Sequence, residues 1–308
     1  MTLTIEQAIA RVPRWQNAAD IKVSPLEGGI TNRNYRVDVG DESFHLRLAG
    51  QNTHLLGIDR EHEYQAAKTA GELGIGPEVV YFIRPDGYLV TRFIPGRPIL
   101  PDELRQPDNI QRVVGALRKL RGAQTLPVVF NAFQVVRDYA EIANRYNVTS
   151  PQNFDWLLAQ MNAAESAIGS NSLAPRPCHN DLLNGNFLLN DRLYILDWEY
   201  AGMGDVFFDL ANFSNNHELT AEEDRLLLDC YFSKITPQHL AHLSIMKIMS
   251  DFREAMWGLV QIGISDIEFD FREYADKHFE RLTKNMQNPD WNQWLDDVSR
   301  AGWNPAST

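Results

Sequence analysis

The sequence predicts an α+β protein, with a small antiparallel-sheet domain over residues 1–95 and a larger, mainly helical domain over residues 96–308. Three observations carry this reading. Strand-like alternation dominates before Pro95-Gly96, and helical periodicity dominates after it. A length of 308 residues suggests about two domains. A single hairpin pattern, Asn186 to Trp198, interrupts the helical part.

The elements follow in order. Val23 to Leu26 and Asn34 to Val39 read as strands joined by the turn from Glu27 to Asn32, and Ser43 to Leu48 follows after Gly40-Asp41. Asp59 to Leu73 reads as a helix stopped by Gly74 and Gly76-Pro77. Val79 to Ile83 and Tyr88 to Ile94 flank Pro85-Asp86-Gly87, a hairpin signal. Beyond Pro98, Asp102 or Asp108 caps a helix running towards Arg121. Val135 to Tyr146, Phe154 to Ala167 and Ala221 to Phe232 read likewise, and the longest helix runs from about Gln238 to Ile262. Within the exception, Asn190-Asp191 is a turn suited to joining Phe187-Leu188-Leu189 to Leu193-Tyr194-Ile195-Leu196.

Composition narrows the function. A hydrophobic content of 44% is enough for a sizeable core. A formal net charge of -12 and a pI of about 5.1 repel phosphate backbones, so nucleic acid is not an expected partner. The same surface suits a cationic substrate. Cys178 and Cys230 form neither a disulfide framework nor a metal cluster, which fits a cytoplasmic location. The start, Met1 to Trp15, lacks the pattern of a signal peptide, and no apolar run approaches the roughly 20 residues of a membrane span.

The chemistry concentrates in Cys178-His179-Asn180-Asp181-Leu182-Leu183-Asn184-Gly185-Asn186 and in Leu196-Asp197-Trp198-Glu199. In a kinase catalytic loop an Asp takes or orients the hydroxyl proton of the acceptor, and an Asn five residues later holds magnesium. A second Asp, beyond a hairpin, bridges magnesium to the phosphates. Asp181, Asn186 and Asp197 stand at that spacing. Their oxygen ligands suit a hard ion such as Mg2+. On a separate helix, Asp251, Glu254 and Trp257 follow one another at i+3, which puts them on one broad face. Such a face can hold an ammonium by charge and cation–π attraction, or it can be a salt-bridged helix with a core Trp.

The combined pattern resembles the choline/ethanolamine kinase and aminoglycoside phosphotransferase group, nearer to the choline kinase side. The resemblance runs from Gly28 to about Leu282. It rests on the Gly-Gly-Ile-Thr-Asn turn, His179-Asn180-Asp181, Asp197-Trp198-Glu199-Tyr200, Phe208-Asp209-Leu210-Ala211-Asn212 and Trp257-Gly258-Leu259. It implies a two-lobed, protein-kinase-like fold, ATP as co-substrate and Mg2+ as cofactor. It also implies that Gly28, Gly29, Thr31 and Asn32 cover the phosphates, and that Arg47 on the third strand steadies them. Glu63 is the expected partner of Arg47, with Glu61 as the rival. Val90 to Ile94, including Arg92 and Phe93, would be the hinge whose backbone reads adenine. His179, Asp181 and Asn186 form the expected catalytic loop, with Asp209 supporting it. Glu199 and Tyr200 join Asp251, Glu254 and Trp257 as the expected acceptor side. Choline kinases carry a second Trp three positions beyond the first; here that position is Val260, which leaves room for ethanolamine.

The expected activity is therefore transfer of a phosphoryl group to the hydroxyl of a small cationic amino alcohol, choline or ethanolamine. Rival readings are an aminoglycoside-type antibiotic kinase, a nucleotide-binding pseudokinase without turnover and a metal-dependent hydrolase. The expected partner is the small-molecule alcohol, with no nucleic acid, no membrane span and room for a homodimer.

Overall fold

The computed structural model describes residues 3–18, 20–26, 32–50, 52–169 and 173–300. Three of the expected phosphate-covering residues, Gly28, Gly29 and Thr31, lie outside them. In chain order the elements are α1 (Ile5–Ala10), β1 (Ile21–Leu26), β2 (Arg33–Val39), β3 (Glu42–Leu48), α2 (Arg60–Glu72), β4 (Val79–Ile83), β5 (Tyr88–Arg92), β6 (Arg97–Pro98), α3 (Pro101–Leu104), α4 (Pro107–Arg121), α5 (Ala132–Arg145) and α6 (Phe154–Gly169). They continue with β7 (Arg176–Cys178), β8 (Phe187–Leu189), β9 (Leu193–Ile195), β10 (Gly202–Gly204), α7 (Val206–Asn216), α8 (Ala221–Phe232), α9 (Pro237–Ile264), α10 (Phe271–Met286) and α11 (Trp291–Ser299). The class is α+β, as the sequence predicts. Two compact units result, one of Met1–Ile99 with Gly185–Ala201 and the other of Leu100–Asn184 with Gly202–Thr308. The hairpin placed by sequence in the helical domain thus groups with the sheet. No helix among the described residues is long and apolar enough to cross a membrane.

The first unit is an antiparallel sheet in the order β1-β2-β3-β5-β4. Strand alternation fixes its two faces. Phe44, Leu46 and Leu48 point from β3 into a core shared with Ala8, Val12 and Trp15, and the Trp15 and Phe44 rings lie 5.4 Å apart. His45 and Arg47 therefore point from the opposite face. Asp59 starts α2 by accepting the Glu61 and His62 N–H groups at 2.9 and 3.0 Å. Gly87, at φ +72°, lets the β4–β5 turn approach α2: a Cβ there would lie 2.5 Å from the Cβ of Arg60. The hairpin of β8 and β9 joins β6 in a small separate sheet. It is tied to the rest of the unit by the Ile195 N–H, which donates to the Ile75 carbonyl at 2.7 Å.

The second unit is built around α9, a 28-residue helix of which 20 residues are buried. Helices α5, α6, α7, α8, α10 and α11 pack against it. Phe252 at its centre meets Phe154 and Phe279 edge-on. The short ladder of β7 and β10 delivers the chain to Cys178 and then to the loop from His179 to Leu182.

Candidate active site

In the first unit a buried ion-pair network surrounds Arg47. Its Nη1 donates to Glu63 and, at 3.0 Å, to Glu199 Oε1, while Nη2 donates to the Gly87 carbonyl at 3.3 Å. Glu63 is thus the partner of Arg47. Glu61 is exposed and pairs with Arg84 at 2.6 Å. A second cation escaped the sequence reading: Arg60 Nη1 binds Glu63 Oε2 at 2.8 Å and also Glu199. Its signal was the i+3 spacing to Glu63 on α2. Asn32 donates to Glu199 Oε1 at 2.6 Å and accepts the Gly50 N–H at 3.2 Å. Burial alone would raise the Glu199 carboxyl, but Arg47 and Arg60 outweigh it and hold it below the usual range.

These contacts change two placements. Glu199, expected on the acceptor side, is enclosed in the arginine network instead. Arg92 and Phe93, expected to read adenine, spend their backbone N–H groups inside the unit, on Glu78 O at 2.8 Å and Ser43 O at 3.1 Å. The Arg92 side chain pairs with Glu42 and Glu78. An adenine would have to use other backbone groups. Tyr200 is half-buried in the turn after Glu199.

The β8–β9 hairpin brings the proposed metal ligands together. Phe187 pairs with Ile195, and the Leu196 N–H donates to the Asn186 carbonyl at 2.8 Å, so Asp197 lies one residue beyond the level of Asn186. Asp197 is exposed, at φ +61°. Its carboxylate, with those of Glu63 and Glu199, forms a set of oxygens within 4.8 Å of one another. The set fits a hard divalent cation by donor type. Arg47 and Arg60 engage both glutamates of this set, and Asp197 is its exposed member.

In the second unit the loop after β7 is held from below by α7. Asp209 accepts the His179 N–H at 2.9 Å and the Asn180 N–H at 2.7 Å, and Asn212 accepts the Leu182 N–H at 2.5 Å. Asn180 takes the left-handed conformation at φ +66°, a backbone turn that Asn tolerates better than most residues. His179 is fully buried, and its Nδ1 accepts the Asp181 N–H at 3.2 Å. Expected among the catalytic residues, it shapes the loop from inside. Burial pushes the Asp209 carboxyl up to about 6, although the two N–H groups oppose this.

The expected acceptor helix separates into two sets. Asp251 is fully buried and gives both oxygens to α10, to Arg281 Nε at 2.7 Å and His278 Nδ1 at 2.8 Å. It staples two helices, so the reading of it as an acceptor ligand is corrected. Glu254 instead accepts from Arg253 Nη1 at 2.5 Å and from the Tyr274 hydroxyl at 2.7 Å. Burial, then the Glu254 carboxylate, push the Tyr274 phenol well above its usual range. Trp257 stands edge-on to Tyr274 and Phe271, with ring centroids 5.6 and 5.8 Å away. Arg253, 2% exposed, also reaches Asp181 Oδ1 at 3.2 Å. Neither Arg253 nor Tyr274 was singled out from sequence. For Arg253 the signal was its place between two acids, Asp251 and Glu254, in the middle of a long helix.

A model of the phosphotransferase enzyme family matches residues 22–241. A solved choline/ethanolamine kinase family protein from Mesorhizobium loti is 31% identical, with a TM-score of 0.81 over 94% of this chain and 96% of that one. The chain belongs to the choline/ethanolamine kinase family. Its curated relatives in this family include protein LicA of Haemophilus influenzae, 27% identical over 84% of this chain and 78% of that protein. Ethanolamine kinase 1 of Mus musculus is 25% identical over 88% of this chain and 85% of its own length. As a choline/ethanolamine kinase family member the chain has the protein-kinase-like fold and is a phosphotransferase acting on an alcohol group.

Proposed function

We propose that this phosphotransferase moves the terminal phosphoryl group of ATP to the hydroxyl of choline or ethanolamine. The family supports ATP and the alcohol acceptor. The observation that carries the cationic acceptor is the cluster of Asp181, Arg253, Glu254, Tyr274 and Trp257. Two acids face one arginine there, an acid-rich setting that suits a cationic substrate. An indole beside them adds cation–π attraction.

Asp181 orients the acceptor hydroxyl and takes its proton as the oxygen bonds to the γ-phosphorus. The bond from that phosphorus to the bridging oxygen of the diphosphate breaks, and ADP leaves with the electron pair. Asp197 and Asn186 would hold Mg2+, which supplies neutralisation of phosphate charge. Arg47, clamped between Glu63 and Glu199, would steady the phosphates.

The test is product formation from labelled ATP with choline, ethanolamine and a neutral alcohol of the same size. The amines are expected to be phosphorylated at least about 30-fold better, because a desolvated cation–π contact contributes about 2 kcal/mol. Asp181→Asn is expected to lower turnover by about 10²–10⁴-fold while nucleotide binding persists. Equal use of the neutral alcohol would remove the cationic-acceptor reading. Wild-type turnover in Asp181→Asn would remove Asp181 from its role.

A further inference from the structure

Arg253 is a guanidinium placed in the interior of α9, where a charge is costly unless it is paired and hydrogen-bonded. The anchors of the adjoining loop act on its backbone: Asp209 and Asn212 bind the N–H groups of His179, Asn180 and Leu182. They fix where the loop runs, and the direction of the Asp181 carboxylate still depends on contacts to that carboxylate. Arg253 supplies one, from Nη1 to Oδ1 at 3.2 Å. The same Nη1 is held by Glu254 Oε1 at 2.5 Å, and Glu254 is held by the Tyr274 hydroxyl at 2.7 Å on its other oxygen. The series Tyr274, Glu254, Arg253, Asp181 therefore runs from α10 through α9 to the loop, with every member at least half-buried.

We propose that Arg253 is a positioning residue that sets the rotamer of Asp181 for transfer, with Glu254 and Tyr274 holding Arg253 in place. This rests on the reading of Asp181 as the residue that orients the acceptor hydroxyl. In this role Arg253 acts through Asp181 rather than on the reacting atoms. An arginine serving only to cement α9 would affect folding without affecting turnover of the folded protein.

Arg253→Met tests this, read as kcat, as KM for ATP and as thermal unfolding, alone and combined with Asp181→Asn. A misplacement near 1 Å costs about 10²-fold in rate, so kcat is expected to fall by that order with the KM for ATP unchanged. In the Asp181→Asn background the same substitution is expected to be silent, because residues acting as one unit are non-additive. Arg253→Lys keeps the charge without the fork and is expected to recover part of the loss; it also serves if the methionine variant does not fold. Full turnover in folded Arg253→Met or Arg253→Lys overturns the proposal. So does an undiminished loss on top of Asp181→Asn, which would show that Arg253 works through another group. If Asp181→Asn alone retains wild-type turnover, the underlying reading of Asp181 has failed, and that outcome is separate from either result on Arg253.

Discussion

Replacing Asp209 by Asn changes one atom and should do as much harm as truncation. The carboxylate is buried, and each oxygen accepts one backbone N–H of the loop, at 2.9 and 2.7 Å. An Asn side chain offers one acceptor and one NH2, so it satisfies one of the two amides and turns a donor against the other. A buried group left unsatisfied costs about 1–3 kcal/mol, and here both the loop N–H and the new NH2 are stranded. The expected destabilisation is about 2–6 kcal/mol. For a unit of this size about 1 kcal/mol lowers Tm by about 2–4 °C, so the fall is at least about 4 °C. Differential scanning calorimetry of Asp209→Asn and Asp209→Ala measures it, with kcat followed in parallel because the same amides place Asp181. A Tm within about 1 °C of wild type, or an Asn variant much more stable than the Ala variant, would refute the two-acceptor argument. The pH dependence has a definite sign. A carboxyl raised in the folded state from 3.8 to about 6 binds its proton more tightly when folded. Its linked contribution to stability is full below about 3.8 and is lost as pH rises through about 6. Acidification through pH 6 is therefore not expected to unfold the protein through Asp209.

Two further outcomes concern the sheet unit. Asp197→Ala is expected to abolish the Mg2+ dependence of ATP binding, measured by isothermal titration with and without the ion; an unchanged dependence would place the metal elsewhere. Arg47→Met leaves Arg60 alone against both Glu63 and Glu199, an uncompensated buried charge, and is expected to cost about 3–5 kcal/mol in urea unfolding. Adding Glu63→Gln should restore part of that stability by removing an orphaned charge, and a further loss would show that ion pairing is not what Arg47 supplies.

What was legible in the sequence followed from local rules. Alternation along β3 put Arg47 on the face opposite Phe44 and Leu46, and the turn residues Asn190-Asp191 announced the hairpin that aligns Asn186 with Asp197. Spacing on α9 placed Asp251, Glu254 and Trp257 on one broad face. What it could not show is that this face is covered by α10, where Asp251 meets His278 and Arg281, Glu254 meets Tyr274, and Trp257 packs on Tyr274 and Phe271. Of the loop's anchors, Asp209 was expected from the family resemblance and Asn212 was not; both meet their amides about 30 residues away, across a packing contact that no local pattern encodes. In the expected hinge, the register of β5 commits the Arg92 and Phe93 N–H groups to neighbouring backbone, a detail that local pattern does not give.

The two buried charge clusters use the same arginine–carboxylate chemistry and reach different sums. In the sheet unit, Arg47 and Arg60 face Glu63 and Glu199, and the set is neutral. A neutral set neither repels incoming phosphates as free carboxylates would nor competes strongly for their cation. In the helical unit, Arg253 faces both Asp181 and Glu254, so acids outnumber the arginine among these three side chains, in a buried setting where electrostatic energies are several-fold larger than in water. A neutral alcohol placed there leaves the excess uncompensated. A polycation overcompensates it and must bury its remaining charges without partners. A substrate with one ammonium group closes the balance. The arithmetic of three side chains thus favours the amino alcohols over both the neutral alcohols and the aminoglycosides.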